Sequence, residues 1–278
     1  MRLLDRISAW LGGAQSAPRD AQPRLHRVQC ANPKGLHHMA YAEWGDPANP
    51  RVLVCVHGLT RVGRDFDFLA QQLARHYRVV CPDVVGRGRS DWLPDAANYG
   101  VPQYVGDMVT LIARLGVEQV HWFGTSMGGL IGMVMAAVAP ARVAALVLND
   151  IGPVIDEAGL DRIRAYIGGS PAPAADWAEM AARFAKVNAE AFPEFTADDW
   201  LAFARRTSRE TAEGIVTDYD PGIAKGMDPD QNAVVPADLW PVWDAIGKLP
   251  VMAIRGGLSD LMSAATLAEM ERRHEATF

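Results

Sequence analysis

Residues 120–130 have the sequence Val-His-Trp-Phe-Gly-Thr-Ser-Met-Gly-Gly-Leu, or VHWFGTSMGGL. The apolar residues at its start predict a strand, and those at its end predict the beginning of a helix. Between them, Ser126 is the central residue of a Gly-x-Ser-x-Gly turn. A turn this tight leaves no space for side chains two residues before and after the serine, and Gly124 and Gly128 meet that requirement. The stretch therefore predicts a nucleophile, Ser126, whose hydroxyl is held clear of a sheet.

Short apolar runs recur on both sides of this turn. They lie at 51–56, 77–81, 117–123, 143–148 and 251–254. Runs of this kind are typical of strands that are buried on both faces, as in a parallel sheet. Helical patterns lie between them, at 65–76, 104–115 and 127–139. With a hairpin predicted over 25–45, the alternation predicts an α/β fold with a doubly wound, mostly parallel sheet.

The region 151–246 differs from the rest of the chain, because no strand pattern stands out in it. It predicts helices at 157–168, 174–191, 197–207 and 208–216. We interpret it as a helical insertion that covers one edge of the sheet. The predicted domains are therefore an N-terminal extension and linker (1–24), a core (25–150 and 247–278) and the insertion (151–246).

The segment His57-Gly58-Leu59 directly follows the predicted strand 51–56. A tetrahedral oxyanion needs two converging backbone N–H donors. We expect one from Met127, the residue after the nucleophile, and the other from Leu59. His57 ends a central strand well before the nucleophile, which favours a role in bracing the loop over one as catalytic base.

Asp260 lies just beyond the predicted strand 251–254, in the sequence RGGLSDLMS. The order nucleophile, acid, histidine along the chain favours it as the acid of a catalytic triad. Asp150 also ends a predicted strand and is the rival candidate. Asp260 has an alternative structural interpretation, as the cap of the helix that follows.

The overall composition excludes several classes of function. The chain has 27 basic and 33 acidic residues, and no basic stripe, so we expect no nucleic-acid partner. Its longest apolar stretch, 128–141, is shorter than the roughly 18–20 residues that span a bilayer, so we expect no stable membrane insertion. Three widely spaced cysteines favour free thiols in a reducing compartment, and hence a cytoplasmic protein. The first 13 residues could form a weak interfacial helix or a frayed extension.

Taken together, the segments VHGLTRVGRDF, PDVVGRGRSD, FGTSMGGL, LVLNDIGP and IRGGLSD resemble the α/β-hydrolase fold superfamily, in its esterase-, lipase- and haloperoxidase-like branch. The resemblance runs from about residue 25 to the end of the chain and is weakest in the insertion. It implies that the insertion is a cap over the active site and that Asp260 is the acid. Gly86-Arg87-Gly88 corresponds to a loop of that family. It is not a phosphate-binding glycine loop, because a third glycine is missing and no helix opens there. We expect no metal and no cofactor.

The resemblance also implies a general base that this chain does not supply in the expected place. In the family, the base is a histidine on a loop after a final strand. His274 is the only histidine after Asp260, and it lies at the end of a predicted helix, where that strand should be about to begin. The final strand would start at 276–278, where the chain stops. We therefore expect that the last strand and the catalytic histidine are missing and that 1–278 is a fragment or a truncated frame.

These features predict a serine hydrolase, carboxylesterase-like, that acts on small or medium acyl esters through an acyl-enzyme. Cleavage of lactones or of C–C bonds beside a carbonyl, and perhydrolysis, would use the same residues and remain open. A non-catalytic ligand-binding protein of this fold is the alternative from another class. The oligomeric state is not predicted.

Overall fold

The computed structural model describes residues 22–168, 172–227 and 238–274. The strands of these ranges are β1 (Arg24–Asn32), β2 (Gly35–Trp44), β3 (Val52–Val56), β4 (Arg78–Pro82), β5 (Val120–Thr125), β6 (Val143–Asn149), β7 (Ser208–Thr211), β8 (Gly214–Thr217) and β9 (Val251–Ile254). Seven of them form the central sheet, in the order β1-β2-β4-β3-β5-β6-β9. Within this sheet the neighbours β4–β3, β3–β5, β5–β6 and β6–β9 pair in parallel, while β1 with β2 and β2 with β4 are antiparallel. The predicted doubly wound, mostly parallel sheet is confirmed.

Helices separate these strands. They are α1 (Asp67–Leu73), α2 (Val101–Leu115), α3 (Met127–Val138), α4 (Glu157–Gly168), α5 (Trp177–Asn188), α6 (Ala197–Thr207), α7 (Trp240–Ala245) and α8 (Ala264–Arg273). Among the described residues, no helix is long and apolar enough to cross a membrane.

The central sheet is buried on both of its faces, as strand β3 demonstrates. Val52, Val54 and Val56 belong to one apolar cluster, which includes residues of α2 and α3. Leu53 and Cys55 point to the opposite face and belong to a second cluster, which includes residues of α1. Successive side chains of a strand alternate between faces, so an unbroken apolar run fits a sheet covered on both sides.

The hairpin predicted over 25–45 is confirmed, and its turn has a local cause. The pairing of β1 with β2 runs to Asn32 opposite Gly35. The Asn32 side-chain oxygen accepts from the backbone N–H of Lys34 at 2.9 Å. Gly35 has a φ of +138°, which glycine adopts without the clash that a side chain would bring.

Within 151–246 the structure confirms three predicted helices and corrects the fourth. Residues 208–216, predicted to be helical, belong to the antiparallel pair β7 and β8. Gly214, at φ +129°, starts the return strand, and Ile215 exchanges two backbone hydrogen bonds of 2.8 Å with Ala174. These partners lie far apart in sequence, and their pairing overrides the local helical pattern. Residues of α5, α6 and β8 also share an apolar cluster of their own.

Strand β9 is the outermost strand of the described sheet, beside β6. The final strand, predicted to start at 276–278, lies outside the described residues, as do the predicted N-terminal helix and linker up to residue 21. The division of the chain into a core and a cap stays a prediction.

Candidate active site

Ser126 occupies a sharp turn between β5 and α3. Its backbone has φ +50° and ψ −117°, a conformation that non-glycine residues rarely adopt. Its N–H donates to Asn149 O at 2.9 Å, and its carbonyl accepts from the N–H of Leu130 at 3.0 Å. These bonds join the turn to the end of β6 and to the first turn of α3. The strained serine is therefore held from both sides.

The two glycines of the motif are required by their close neighbours. A Cβ on Gly124 would lie 2.3 Å from the backbone carbonyl carbon of Gly128. A Cβ on Gly128 would lie 2.0 Å from the backbone oxygen of Val56 on β3. Real Cβ contacts are never this short, so side chains at these positions would force α3 away from the sheet. The clash expected from the sequence is present in the structure.

Leu59 and Met127, the predicted oxyanion donors, lie on the loop after β3 and at the start of α3. Their backbone N–H groups donate to no acceptor among the described residues. The loop after β3 passes close to the nucleophile, since a Cβ on Gly58 would lie 3.8 Å from Ser126 Cβ. Two unused amides beside a nucleophile fit the requirements of an oxyanion hole.

His57 is buried and has a partner for each ring nitrogen. Nδ1 lies 2.7 Å from the Gly58 carbonyl oxygen, and Nε2 accepts from the Val84 N–H at 2.9 Å. Burial lowers the pKa of His57 to about 3, so the ring is neutral, with its proton on Nδ1. In a trans peptide, C=O and N–H point in opposite directions. By holding the Gly58 oxygen, His57 therefore fixes the direction of the Leu59 N–H.

Arg87 also contacts both predicted oxyanion residues, although its sequence context predicts no such role. Its side chain is completely buried. Nε donates to Leu59 O at 2.7 Å, and Nη1 donates to Val85 O at 2.8 Å and to the Tyr104 hydroxyl at 2.9 Å. Nη2 lies 3.6 Å from Met127 Sδ. An arginine between two glycines after a strand was the only signal in the sequence, and it did not reveal these contacts.

The two candidate acids have different surroundings. Asp260 forms a bidentate ion pair with Arg162 of α4, in which both N–O distances are 2.6 Å. This hydrogen bonding with Arg162 lowers the pKa of Asp260. Asp150, at φ +57°, lines the cavity beside Ser126, and its Oδ1 accepts from the Gly256 N–H at 3.0 Å. Both follow neighbouring parallel strands, β6 and β9, but only Asp150 lines the cavity that contains Ser126.

His274 lies apart from the nucleophile. It follows α8, is buried, and packs its ring 5.3 Å from the ring of Trp243. Burial lowers its pKa. It does not line the cavity that contains Ser126, and His57 is the one histidine of the described residues that does.

A cavity of about 1460 Å³ lies between the carboxyl ends of the strands and residues 151–246. Ser126, Leu59 and Asp150 line it on the sheet side, and Phe203 and Tyr219 are among its aromatic residues. Five arginines also line it: Arg61, Arg162, Arg183, Arg206 and Arg209. The volume exceeds the roughly 300–1,000 Å³ of ordinary small-molecule pockets and has space for an extended substrate.

A group of possible metal ligands lies elsewhere, between the β1–β2 hairpin and α2. The ligand atoms of Cys30, His37 and Asp107 all lie within 4.8 Å of one another. His37 Nε2 is 3.1 Å from Asp107 Oδ2, and all three residues are buried. None of them lines the cavity. The group has no part in the chemistry at Ser126.

Comparisons with known proteins agree with this geometry. A family model described as alpha/beta hydrolase fold matches residues 51–270. A 3-hydroxybutyrate-oligomer hydrolase from Cupriavidus necator is 51% identical over 260 residues, which are 91% of this chain and 88% of that protein. A crystal structure of an alpha/beta hydrolase from Novosphingobium aromaticivorans has a TM-score of 0.80 and 37% identity, covering 92% of this chain and 89% of that one. A hydrolase structure from Rickettsia typhi has a TM-score of 0.81 and 30% identity, with coverages of 91% and 88%.

Proposed function

The chain belongs to the alpha/beta hydrolase fold family, and we propose that it is a serine hydrolase that cleaves ester bonds in oligomers of short hydroxy acids. The observation that carries the proposal is Ser126, held at φ +50° at the wall of the cavity, beside two backbone amides that have no acceptor within the described part of the chain. The substrate class is supported by the relative from Cupriavidus necator, a 3-hydroxybutyrate-oligomer hydrolase. The cavity volume of about 1460 Å³ fits a substrate of several units.

In the proposed reaction, Ser126 Oγ attacks the carbonyl carbon of the ester. The amides of Leu59 and Met127 bind the oxyanion that forms. The C–O bond breaks, the alcohol leaves with a proton, and water then hydrolyses the acyl-enzyme to a carboxylic acid. Gly124 and Gly128 allow the turn, and His57 and Gly58 hold the loop that carries Leu59.

The proposed triad combines Ser126 with an acid and a general base. We propose Asp260 as the acid, with Asp150 as its rival. We assign the general base to none of the described histidines, because both ring nitrogens of His57 are engaged and His274 is buried against Trp243. Cys30, Cys55 and Cys81 are free and buried, which supports the proposal of a reducing, cytoplasmic location.

The test is labelling of the full-length protein with a fluorophosphonate, together with hydrolysis of a 3-hydroxybutyrate trimer. We expect the label on Ser126 and its loss in Ser126→Ala, with a drop in kcat of at least 10³-fold, as when other triad members are removed. Ser208→Ala is the control, because Ser208 lies on β7 and does not line the cavity. A wild-type protein that binds the trimer but takes no label would favour the ligand-binding alternative.

A further inference from the structure

Arg61 lies on the loop that follows Leu59, and its guanidinium is held from two directions. Nε and Nη2 donate to the two carboxylate oxygens of Asp65, at 2.6 and 2.8 Å. The guanidinium carbon lies 3.9 Å from the centre of the Phe203 ring, in cation–π geometry. An arginine fixed on one edge and one face has lost most of its rotamer freedom before a ligand arrives.

Arg61 is also close to the nucleophile. The Cβ position of Gly58 is 3.5 Å from Arg61 Cγ and 3.8 Å from Ser126 Cβ, so these two side chains flank the same glycine. Both residues line the cavity. The Arg61 side chain therefore starts beside Ser126 and extends to Phe203, so a group bound by its guanidinium would lie in the same cavity as the carbonyl that Ser126 attacks.

Part of the guanidinium is unused. Arginine has five N–H donors, and Asp65 takes two of them through Nε and Nη2. Nη1 donates to no acceptor among the described residues. The side chain of Arg61 is 25% exposed, against 34% for Arg183, 45% for Arg209 and 56% for Arg162. Among these ion-paired arginines of the cavity, Arg61 is the least exposed, and a carboxylate bound there would be the least screened by water.

We propose that Arg61 binds the terminal carboxylate of the oligoester and so directs Ser126 to the ester bond nearest that end. This inference rests on the proposed function. In an oligomer of a 3-hydroxy acid, the terminal carboxylate carbon is four bonds from the carbonyl carbon of the last ester, or about 5 Å. Only the alcohol side of a scissile bond leads to the carboxylate end of the oligomer. A carboxylate bound beside the nucleophile therefore makes the leaving alcohol a single unit.

The reaction then removes one unit at a time from the carboxyl end. Ser126 Oγ bonds to the acyl carbon, the ester C–O bond breaks, and the terminal 3-hydroxy acid leaves with a proton on its new hydroxyl. Water cleaves the acyl-enzyme and releases an oligomer one unit shorter. This product has a new terminal carboxylate, which Arg61 can bind for the next cycle.

The test compares two substrates in the full-length protein: a trimer with a free carboxylate, and the same trimer capped as a neutral methylamide. For Arg61→Ala we expect kcat/KM to fall about 10- to 100-fold on the free acid, the range typical of a lost charged hydrogen bond. On the methylamide we expect wild type and variant to agree within about twofold. Arg61→Lys, which keeps the charge but loses the planar fork, should restore part of the activity on the free acid.

Arg64→Ala is the matched control. Arg64 forms a bidentate pair with Asp67 in the same segment, with both Nε–O distances at 2.7 Å, and it does not line the cavity. We expect it to leave both substrates unaffected. A trimer labelled in its carboxyl-terminal unit should release labelled monomer first.

Equal loss on both substrates in Arg61→Ala, or release of labelled dimer first, would overturn the role of Arg61 and leave the proposed function in place. Failure of the wild type to hydrolyse either trimer would overturn the proposed function and the inference with it. Unchanged activity of Arg61→Ala on the methylamide also establishes that the variant is folded.

Discussion

His57 gives a prediction that separates its structural role from a catalytic one, through the pH dependence of stability. Its ring is 1% exposed and neutral, and it joins the Gly58 carbonyl to the Val84 amide. Protonation would place a charge in this site and remove the lone pair that accepts from Val84. Replacement by glutamine keeps a polar side chain in the site and removes the titration.

The size of the effect follows from linkage. The pKa of His57 falls from 6.5 to about 3 on folding, because burial disfavours the charged form. The contribution of His57 to the free energy of unfolding is fully present above pH 6.5. It is lost as the pH falls, because His57 is protonated at a higher pH in the unfolded chain than in the native state. At about 1.4 kcal/mol per pH unit, the advantage of wild type over His57→Gln should shrink by about 2.5 kcal/mol between pH 6 and pH 4.

Titration of Asp83 changes the free energy of unfolding in the opposite direction, over almost the same pH range. Burial raises its pKa from 3.8 to about 6, so the native state binds this proton first as the pH falls from 6 to 3.8. In wild type, the contributions of His57 and Asp83 to the pH dependence of the free energy of unfolding therefore oppose each other. In His57→Gln only the Asp83 slope of this pair remains, and we expect the variant to gain stability from pH 6 to pH 4 relative to wild type.

Urea unfolding, followed by tryptophan fluorescence at intervals of half a pH unit, measures this difference directly. The free energy of unfolding of wild type minus that of His57→Gln is the quantity to plot. A difference that stays constant from pH 7 to pH 4 would refute the buried, neutral state of His57. It would also remove the argument that His57 orients the Leu59 amide.

Three further predictions concern the remaining parts of the site. Gly128→Ala should lower the free energy of unfolding by more than about 4 kcal/mol or prevent folding, since its Cβ would lie 2.0 Å from Val56 O. Its control is Gly106→Ala, which has open space around the new Cβ and should stabilise α2 by about 0.5–1 kcal/mol in thermal unfolding. Arg87→Met should cost about 3 kcal/mol in urea unfolding, because it leaves the buried carbonyls of Leu59 and Val85 without their donors. Asp260→Asn should lower kcat about 10⁴-fold while Asp150→Asn leaves it within about tenfold, and the reverse order in steady-state assays would transfer the role of acid to Asp150.

The fold was predictable from sequence wherever the signal was local. The apolar runs of β3, β5 and β6 and the Gly-rich turn at Ser126 follow from short-range rules that the structure obeys. The order of the strands in the sheet did not follow, because nothing local specifies that β4 lies between β2 and β3. The prediction of a helix over 208–216 was wrong for the same reason, since the strand conformation there depends on the pairing of Ile215 with Ala174.

In the candidate site too, the features set by local sequence could be predicted, and those set by contacts distant in sequence could not. The turn at Ser126 could be predicted because its geometry forces glycine at fixed spacing, and Leu59 and Met127 follow from their positions beside it. The partner of Asp260 could not be predicted, because Arg162 is 98 residues away in the chain. Arg87 was missed because three of its four partners, Leu59, Tyr104 and Met127, come from separate segments of the chain that only folding brings together.

The contacts of His57 and Arg87 have a common consequence for Leu59. His57 holds the carbonyl just before the Leu59 amide, and Arg87 holds the carbonyl just after it, at 2.7 Å in both cases. The peptide planes on both sides of the Leu59 Cα are thus fixed before substrate binds, and catalysis gains most from donors that need no reorganisation when charge develops. A completely buried arginine without a carboxylate partner among the described residues is expensive for stability. Its position between the two proposed oxyanion donors offers a reason for that expense: the charge and the hydrogen bonds of Arg87 act where negative charge would form.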